Sequence, residues 1–495
     1  MIYVELRIFT ELKIYSPQTK VMKNLVTSLK VLLFLATICF AVSCSDDLDD
    51  VIQDTDGDTV SDQIDNCISA ANTDQLDTDG DGLGNACDED DDNDGVLDVD
   101  DNCPLVANPD QTDVDADGIG DVCQGPDYPC ENGFADVYPC DGYDLMAHIS
   151  LAGLGGITGN DSWGWTDPTT GKEYALISLN TGTSFVDITN ASVPVILGFL
   201  PTATSNSTWR DVKVYQNHAY IVSEASGHGM QVFDLTRLRN VAAPPATFTA
   251  DAHYTGFGRA HNIVINEDSG YAYAVGSNTY SGGPHFVNIQ NPVAPVAAGG
   301  YSTDAYSHDA QVVTYNGPDA DYAGREILIG SNEDEVVIVD VTDKNNPINI
   351  SSVSYTNIGY THQGWFTEDM NYFIVGDELD ENNFGGNTRT MVLDFSDLDM
   401  PVLHFEHLGT TTAIDHNLYV RDGLCYQANY TAGMQVLTVG NIASGSLTQV
   451  GFFDTYPPNN SASFHGAWNV YPYFESGNII ISDYDGGLFI VRESE

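Results

Sequence analysis

Five histidines stand at matched places along the second two-thirds of the chain, in Ala260-His261-Asn262, Ser307-His308-Asp309, Thr361-His362-Gln363, Asp415-His416-Asn417 and Phe464-His465-Gly466. Neutral imidazole suits Zn, Cu, Fe and Ni. Five at equivalent points share a cause: a ligand site, or polar contacts inherited through duplication and satisfied by neighbours or water. They cannot all reach one ion, so two or three are the expected ligands. A second chemistry lies upstream, where Asp-x-Asp-x-Asp begins at Asp54, Asp77, Asp90 and Asp113.

Carboxylates two residues apart in an irregular turn can converge on one hard cation, and Ca²⁺ takes about six to eight oxygens. The candidate calcium ligands are Asp54, Asp56, Asp58; Asp77, Asp79, Asp81; Asp90, Asp92, Asp94; and Asp113, Asp115, Asp117. Asp62, Asp65, Asp88, Asp98, Asp101 and Asp121 are placed to complete the shells. Gly82, Gly95 and Gly118 stand where the chain must bend with positive φ, and the first copy has Thr59 there instead. An EF-hand would need flanking amphipathic helices and a Glu at loop position twelve, and neither is present. Between Ser45 and Asp127 there are 28 acidic residues and no Lys or Arg. Such a block is either a disordered acidic tail or a cation-loaded module; the spacing favours the second.

The histidines need a scaffold that brings distant segments together. A phrase recurs seven times: Thr183-Ser-Phe-Val-Asp-Ile-Thr189, Met230-Gln-Val-Phe-Asp-Leu-Thr236, Pro284-His-Phe-Val-Asn-Ile-Gln290, Glu335-Val-Val-Ile-Val-Asp-Val-Thr342, Thr390-Met-Val-Leu-Asp-Phe-Ser396, Met434-Gln-Val-Leu-Thr438 and Gly487-Leu-Phe-Ile-Val491. Each copy is an apolar, β-branched run closed in most cases by Asp, Asn or Thr, which reads as a buried strand with its stop. A period of about 50 residues with several strands per unit is the pattern of a β-propeller. The fold class is therefore all-β, a seven-bladed propeller over residues 145–492. The last unit lacks an outer strand, which Leu145-Met-Ala-His-Ile-Ser-Leu151 would supply, tying the ring shut.

Inner strands crowd a propeller's axis, so the histidines at their starts would ring the channel. Trp163 and Trp209 hold the corresponding place in the first two units, with Arg210 beside the ring to meet an anion. Second strands return to the same face and end in Glu224, Glu333, Asp334, Asp377, Glu378, Asn429 and Asp483. The candidate ring, for a transition metal or another ligand, is His261, His308, His362, His416 and His465 with Glu224, Asp377 and Asp483.

Residues from Met22 give a basic stretch and an apolar run, Val31–Val42, too short to span a bilayer, so residues 1–43 read as a signal peptide whose true start is Met22. The remaining divisions are an acidic linker at 44–53, the aspartate segment at 54–124 and a junction at 125–144. Of nine cysteines, six lie between 67 and 140, which suits an oxidising compartment. Cys130 and Cys140 enclose a short loop expected to close by a local disulfide. Cys425 reads as a buried filler. Net charge is -56, with 16 Lys and Arg against 72 Asp and Glu, so nucleic acid is excluded as a partner.

Three resemblances add to this reading. Ala41-Val-Ser-Cys44 resembles a lipobox, implying lipidation of Cys44, and Ser45-Asp-Asp-Leu-Asp-Asp50 resembles the export signal of Bacteroidetes surface lipoproteins. Aspartate loops alternating with Asp65-Asn-Cys67, Asn85-Ala-Cys87, Asp101-Asn-Cys103 and Asp121-Val-Cys123 resemble thrombospondin type 3 repeats. That resemblance implies a calcium-stabilised stalk and pairs Cys67 with Cys87 and Cys103 with Cys123, a connectivity the residues alone leave open. The propeller resembles the LVIVD-repeat and choice-of-anchor B families through Asn160-Asp-Ser-Trp-Gly-Trp165, Ser207-Thr-Trp-Arg-Asp-Val212, Gly229-Met-Gln-Val-Phe-Asp-Leu235, Gly376-Asp-Glu-Leu-Asp380 and Asp415-His-Asn-Leu-Tyr419. It implies a secreted surface protein and brings no catalytic residues. The expectation is an outer-membrane, surface-exposed lipoprotein, held by its lipid alone, whose head binds an extracellular protein or glycan in adhesion. The alternative is an extracellular metal-dependent enzyme at the histidine mouth.

Overall fold

The repeated phrase forms the third strand of every blade. Its apolar run is buried throughout in Val336–Asp340 and nearly so elsewhere. The closing Asp or Asn accepts the backbone N–H two residues on, from Thr189 to Asp187 (3.1 Å), Thr236 to Asp234 (2.9 Å), Gln290 to Asn288 (3.0 Å), Thr342 to Asp340 (2.9 Å) and Ser396 to Asp394 (2.9 Å). This side-chain turn competes with further ladder pairing and stops five strands at one point. Shortly before it, the pairing with the fourth strand slips by a bulge, as at Phe185/Val186, Ile338/Val339 and Val392/Leu393. Such bulges sharpen the local twist.

The computed structural model describes residues 53–113, 118–120, 122–123 and 128–494. The leader, Cys44, Asp115, Asp117 and Asp121 lie outside the described residues. The chain divides into two compact units between Val99 and Asp100.

Seven sheets make the propeller. Their first strands are Gly159–Thr166 (blade 1), Arg210–Tyr215 (2), Asn262–Asn266 (3), Asp309–Thr314 (4), Thr361–Phe366 (5), Leu418–Arg421 (6) and Ala467–Tyr471 (7). Each packs beside the first strand of the next blade, and Ala467–Tyr471 packs beside Gly159–Thr166, so the circle closes. Closure is also made by hydrogen bonds: Tyr143–Ser150 runs antiparallel to Gly487–Glu493 as the outer strand of blade 7, with Leu145 opposite Val491. The seam between blades is apolar. Ile327, Ile329 and Ile338 of blade 4, for example, pack with Phe366, Phe373 and Phe395 of blade 5.

The junction does more than link. Phe134–Ala135 and Tyr138–Asp141 form a hairpin that joins blade 6, Cys140 opposite Phe453, making a six-stranded sheet. The Cys130–Cys140 disulfide closes its base. Cys425 is buried and unpaired.

The described part of the aspartate segment is turns and bends. Cys67 is bonded to Cys87 and Cys103 to Cys123. Amides do the work of a core: Gln75 accepts from the Asn66 N–H (2.9 Å) and donates to Asp65 (3.0 Å), while Asn72 donates to Asn66 (2.6 Å). The same three bonds recur among Gln111, Asn102, Asp101 and Asn108, at 2.9, 2.7 and 2.7 Å.

Candidate functional site

In the aspartate loops, backbone N–H groups hold the carboxylates in place, through both oxygens in Asp54 and Asp77. Asp77 accepts from Gly80 (2.9 Å) and Gly82 (3.1 Å), Asp79 from Asp81 (2.9 Å) and Asp81 from Leu83 (2.8 Å). Asp54 accepts likewise from Gly57 (2.7 Å) and Thr59 (3.1 Å), Asp90 from Gly95 (3.1 Å) and Asp113 from Gly118 (3.0 Å). The bend residue has φ 96° in Gly82, Gly95 and Gly118, and Thr59 adopts 81° in the same role. The first loop thus takes the shared shape despite its β-branched residue.

Each of Asp54/Asp56/Asp58, Asp77/Asp79/Asp81 and Asp90/Asp92/Asp94 gathers three carboxylate oxygens within 4.8 Å of one another. Oxygens of Asp56, Asp65, Asp90, Asp91, Asp101 and Asp113 are buried without a hydrogen donor. A buried carboxylate oxygen with no donor is costly, and a cation removes that cost. These residues fit calcium. Burial, then the charges of Asp58, Asp65 and Asp54, raise the Asp56 carboxyl above its ordinary range. Asp62 and Asp98 instead hold the loop backbone, accepting from Thr55 (2.8 Å) and Asp91 (2.9 Å), and Asp88 accepts from Asp90 (3.1 Å).

At the propeller axis the structure brings four of the five histidines together. Ring centroids are 4.2 Å apart for His261 and His308, 4.5 Å for His308 and His362, and 4.2 Å for His362 and His416. The arc ends on Trp468, 4.7 Å from His416. His465 stands apart: half exposed, it bonds Asp485 (3.0 Å) and stacks on Tyr456. In blade 7 the strand begins at Ala467, so the ring position falls on Trp468. Blades 1 and 2 give it Asn160 and Arg210, which line the axial cavity with His261, His362 and His416. Trp209 also lines it but is 47% exposed, and Trp163 lies deeper, against Tyr419 and Tyr471.

Of the carboxylates, Glu224 accepts from His261 Nδ1 at 2.7 Å, and that bond holds its carboxyl below the usual range. Asp377 is taken up elsewhere, accepting from Gly359 (2.8 Å) and Tyr355 (3.1 Å). Asp483 accepts from the N–H groups of Asp485 (2.8 Å) and Gly486 (2.6 Å) in a turn. The axial carboxylate is Glu378, one residue past Asp377: its Oε2 is 3.8 Å from His362 Nε2 and its Oε1 3.7 Å from His416 Nε2. Tyr430 donates to Oε1 at 2.7 Å.

Burial keeps these imidazoles neutral, pushing His362 and His416 down to about 3 and His308 well below its ordinary value. His308 Nδ1 meets the Tyr360 hydroxyl at 2.9 Å, while His308 Nε2 and His362 Nδ1 are buried without a partner. Arg210 is 1% exposed; one nitrogen meets His228 (3.2 Å) and the other two have no partner. Burial lowers it to about 10. The enclosed space is about 10 Å³, room for one water- or ion-sized occupant.

A second ring follows one residue later, in Asp161, Asp211, Asn262, Asp309, Gln363, Asn417 and Asn469, all buried. It ties blades together: Asn469 donates to Asp161 (2.6 Å), Asp211 accepts from Ile263 N–H (2.8 Å), and Gln363 both accepts from Leu418 N–H (2.9 Å) and donates to Leu418 C=O (3.1 Å). Lys213 pairs with Asp211 at 2.6 Å, while burial raises Asp309 to about 7 and holds Asp161 well above its usual range. Sequence reasoning missed this ring, although an Asp, Asn or Gln after every true ring position was its signal.

The thrombospondin type 3 repeat family, a calcium-binding repeat, matches residues 76–111. Among curated proteins, none matches the chain. Solved structures similar to it include a protein from Lactobacillus plantarum, at 15% identity and TM-score 0.43 over 62% of this chain and 85% of that one. The β-propeller domain of Myceliophteria thermophila Cps50 (Swd1) is similar at 11% identity and TM-score 0.43, over 65% and 94%. The seven blades are read from the strand order itself. The matched repeat and the disulfides suggest an exported protein.

Proposed function

We propose that the protein is a surface-displayed lipoprotein, anchored through Cys44, whose calcium-loaded aspartate repeats precede a propeller head of the choice-of-anchor B kind that binds an extracellular protein or glycan in adhesion. The observation that carries this reading is the set of buried carboxylate oxygens in the disulfide-bonded loops, since a cation-rich, oxidising medium satisfies both features. A propeller offers a wide loop-built face, and sites on this fold are assembled from separate blades.

The test is made on intact cells. Lipidated protein is labelled by palmitate and remains with the cells, while protease added outside removes the head. Cys44→Ala loses the label and leaves the membrane fraction. A head protected from outside protease, or a Cys44→Ala variant that still carries the label, contradicts the reading.

A second reading, a metal-dependent enzyme acting at the histidine mouth, is favoured by one observation: His362, His416 and Glu378 present three ligand atoms within 4.8 Å of one another. Those side chains would bind and orient an ion that supplies Lewis-acid chemistry. Turnover of an extracellular ester, phosphate or glycoside that is lost in His416→Ala would support it.

A further inference from the structure

We propose that the axial mouth binds one divalent first-row transition-metal ion of the zinc class, held by His362 Nε2, His416 Nε2 and the Glu378 carboxylate. This deepens the second reading above and rests on the same mouth, but metal binding is separable from turnover.

The donor atoms are already presented. His416 Nδ1 lies 2.6 Å from the Trp468 carbonyl oxygen, which can only accept, so Nδ1 carries the hydrogen and Nε2 presents its lone pair. A backbone carbonyl behind the ring is the usual support for a metal-bound imidazole. Tyr430, itself 1% exposed, fixes Glu378 by donating to Oε1. His362 and His416 are 2% and 4% exposed, and neither imidazole bonds the carboxylate between them.

The gaps are those of a ligand set around an ion. Two atoms bound to tetrahedral zinc at about 2.0–2.1 Å are about 3.3 Å apart. The 3.7 and 3.8 Å separations exceed hydrogen-bond length, and three donor atoms within 4.8 Å of one another would draw together onto an ion. His362 and His416 line a space of about 10 Å³, enough for one water, and the unpartnered His308 Nε2 stands on the adjacent blade. Two imidazoles with one carboxylate select a borderline metal, whereas the all-carboxylate loops select calcium. The two kinds of site are therefore titrated apart.

The experiment uses the full chain, stripped with chelator and returned to millimolar Ca²⁺ so that the aspartate loops are filled. Zn²⁺ is titrated by calorimetry, and retained metal is measured after dialysis. Co²⁺ is added separately for its visible spectrum. The expected result is one Zn²⁺ per chain above the calcium background and a Co²⁺ spectrum of low coordination number. Glu378→Gln, which keeps the side chain's volume, weakens Zn²⁺ at least tenfold, and His362→Ala/His416→Ala abolishes both signals. Stoichiometric zinc without turnover upholds the site and removes the enzymatic reading. No retained zinc, or zinc retained equally by Glu378→Gln and the double variant, overturns the site whatever the head binds.

Discussion

His416 Nδ1 lies 2.6 Å from the carbonyl oxygen of Trp468, the residue that takes the histidine's place in the next blade. The contact fixes the His416 tautomer and joins blade 6 to blade 7 at the axis. Because it uses a backbone oxygen, it survives any side chain at 468 that leaves the strand in place.

That distinction separates Trp468 from His465. Replacing Trp468 by Ala removes a large, 9% exposed ring packed on His416 and Tyr430, and costs about 3 kcal/mol or more. Trp468→His, which extends the imidazole arc and keeps the carbonyl, costs less than Trp468→Ala. His465→Ala changes stability by under about 0.5 kcal/mol, since that ring is half exposed. Urea unfolding midpoints of the three variants check the order.

Bound calcium would offset the mutual repulsion of the aspartate carboxylates that otherwise extends these loops. EGTA speeds proteolytic cleavage within residues 54–123 and leaves the propeller's thermal transition in place. Thr59→Gly relieves a β-branched residue at φ 81° and raises calcium affinity in the first loop by up to roughly 1 kcal/mol, about fivefold. Gly82→Ala and Gly95→Ala, at φ 96°, lower it by a similar amount. Calcium calorimetry on the full chain reads each change.

Ring closure depends on the outer strand of blade 7. Leu145 is 2% exposed and packs with Val491, Phe489 and Tyr143. Leu145→Ala should cost roughly 2–4 kcal/mol. In hydrogen exchange the amides of Gly487–Glu493 lose protection before those of Val336–Asp340. Equal protection in both strands contradicts a closure made by this pairing.

Asp309 gives the head a pH dependence with a definite sign. The folded carboxyl keeps its proton to about pH 7, first because it is buried and then because Asp211 is near, while the unfolded chain releases it near pH 4. The unfolded state therefore binds fewer protons between those values, and stability falls as pH rises through them. Asp309→Asn removes that loss, worth at most about 4 kcal/mol. The melting-temperature advantage of the variant should grow from pH 4 to pH 7 and then level off.

The ring was legible because β-branched runs closed by Asp repeat, and because a last unit short of one strand implies a donor at the other end. The histidine arc was legible in four blades for the same reason. Blade 7 misled because its strand begins only at Ala467, three residues after Phe464, so aligning on histidine placed His465 where Trp468 belongs. Asp377 was preferred over Glu378 because residues at a strand's end lose the alternation that tells inward from outward. The hairpin Phe134–Asp141 carried no strand signal: it is short, holds Pro139 and Cys140, and joins the blade through just Cys140 and Asp141, opposite Phe453 and Phe452.

The gathering of imidazoles from separate blades onto one buried axis is tested most directly by histidine nitrogen NMR on the calcium-loaded, otherwise metal-free chain, with each resonance assigned by single substitution. His362 and His416 should stay neutral down to about pH 4, titrating at about 3, with His416 as the Nδ1–H tautomer. Titration of both rings near 6.5, the ordinary value for a solvated imidazole, would contradict the arrangement.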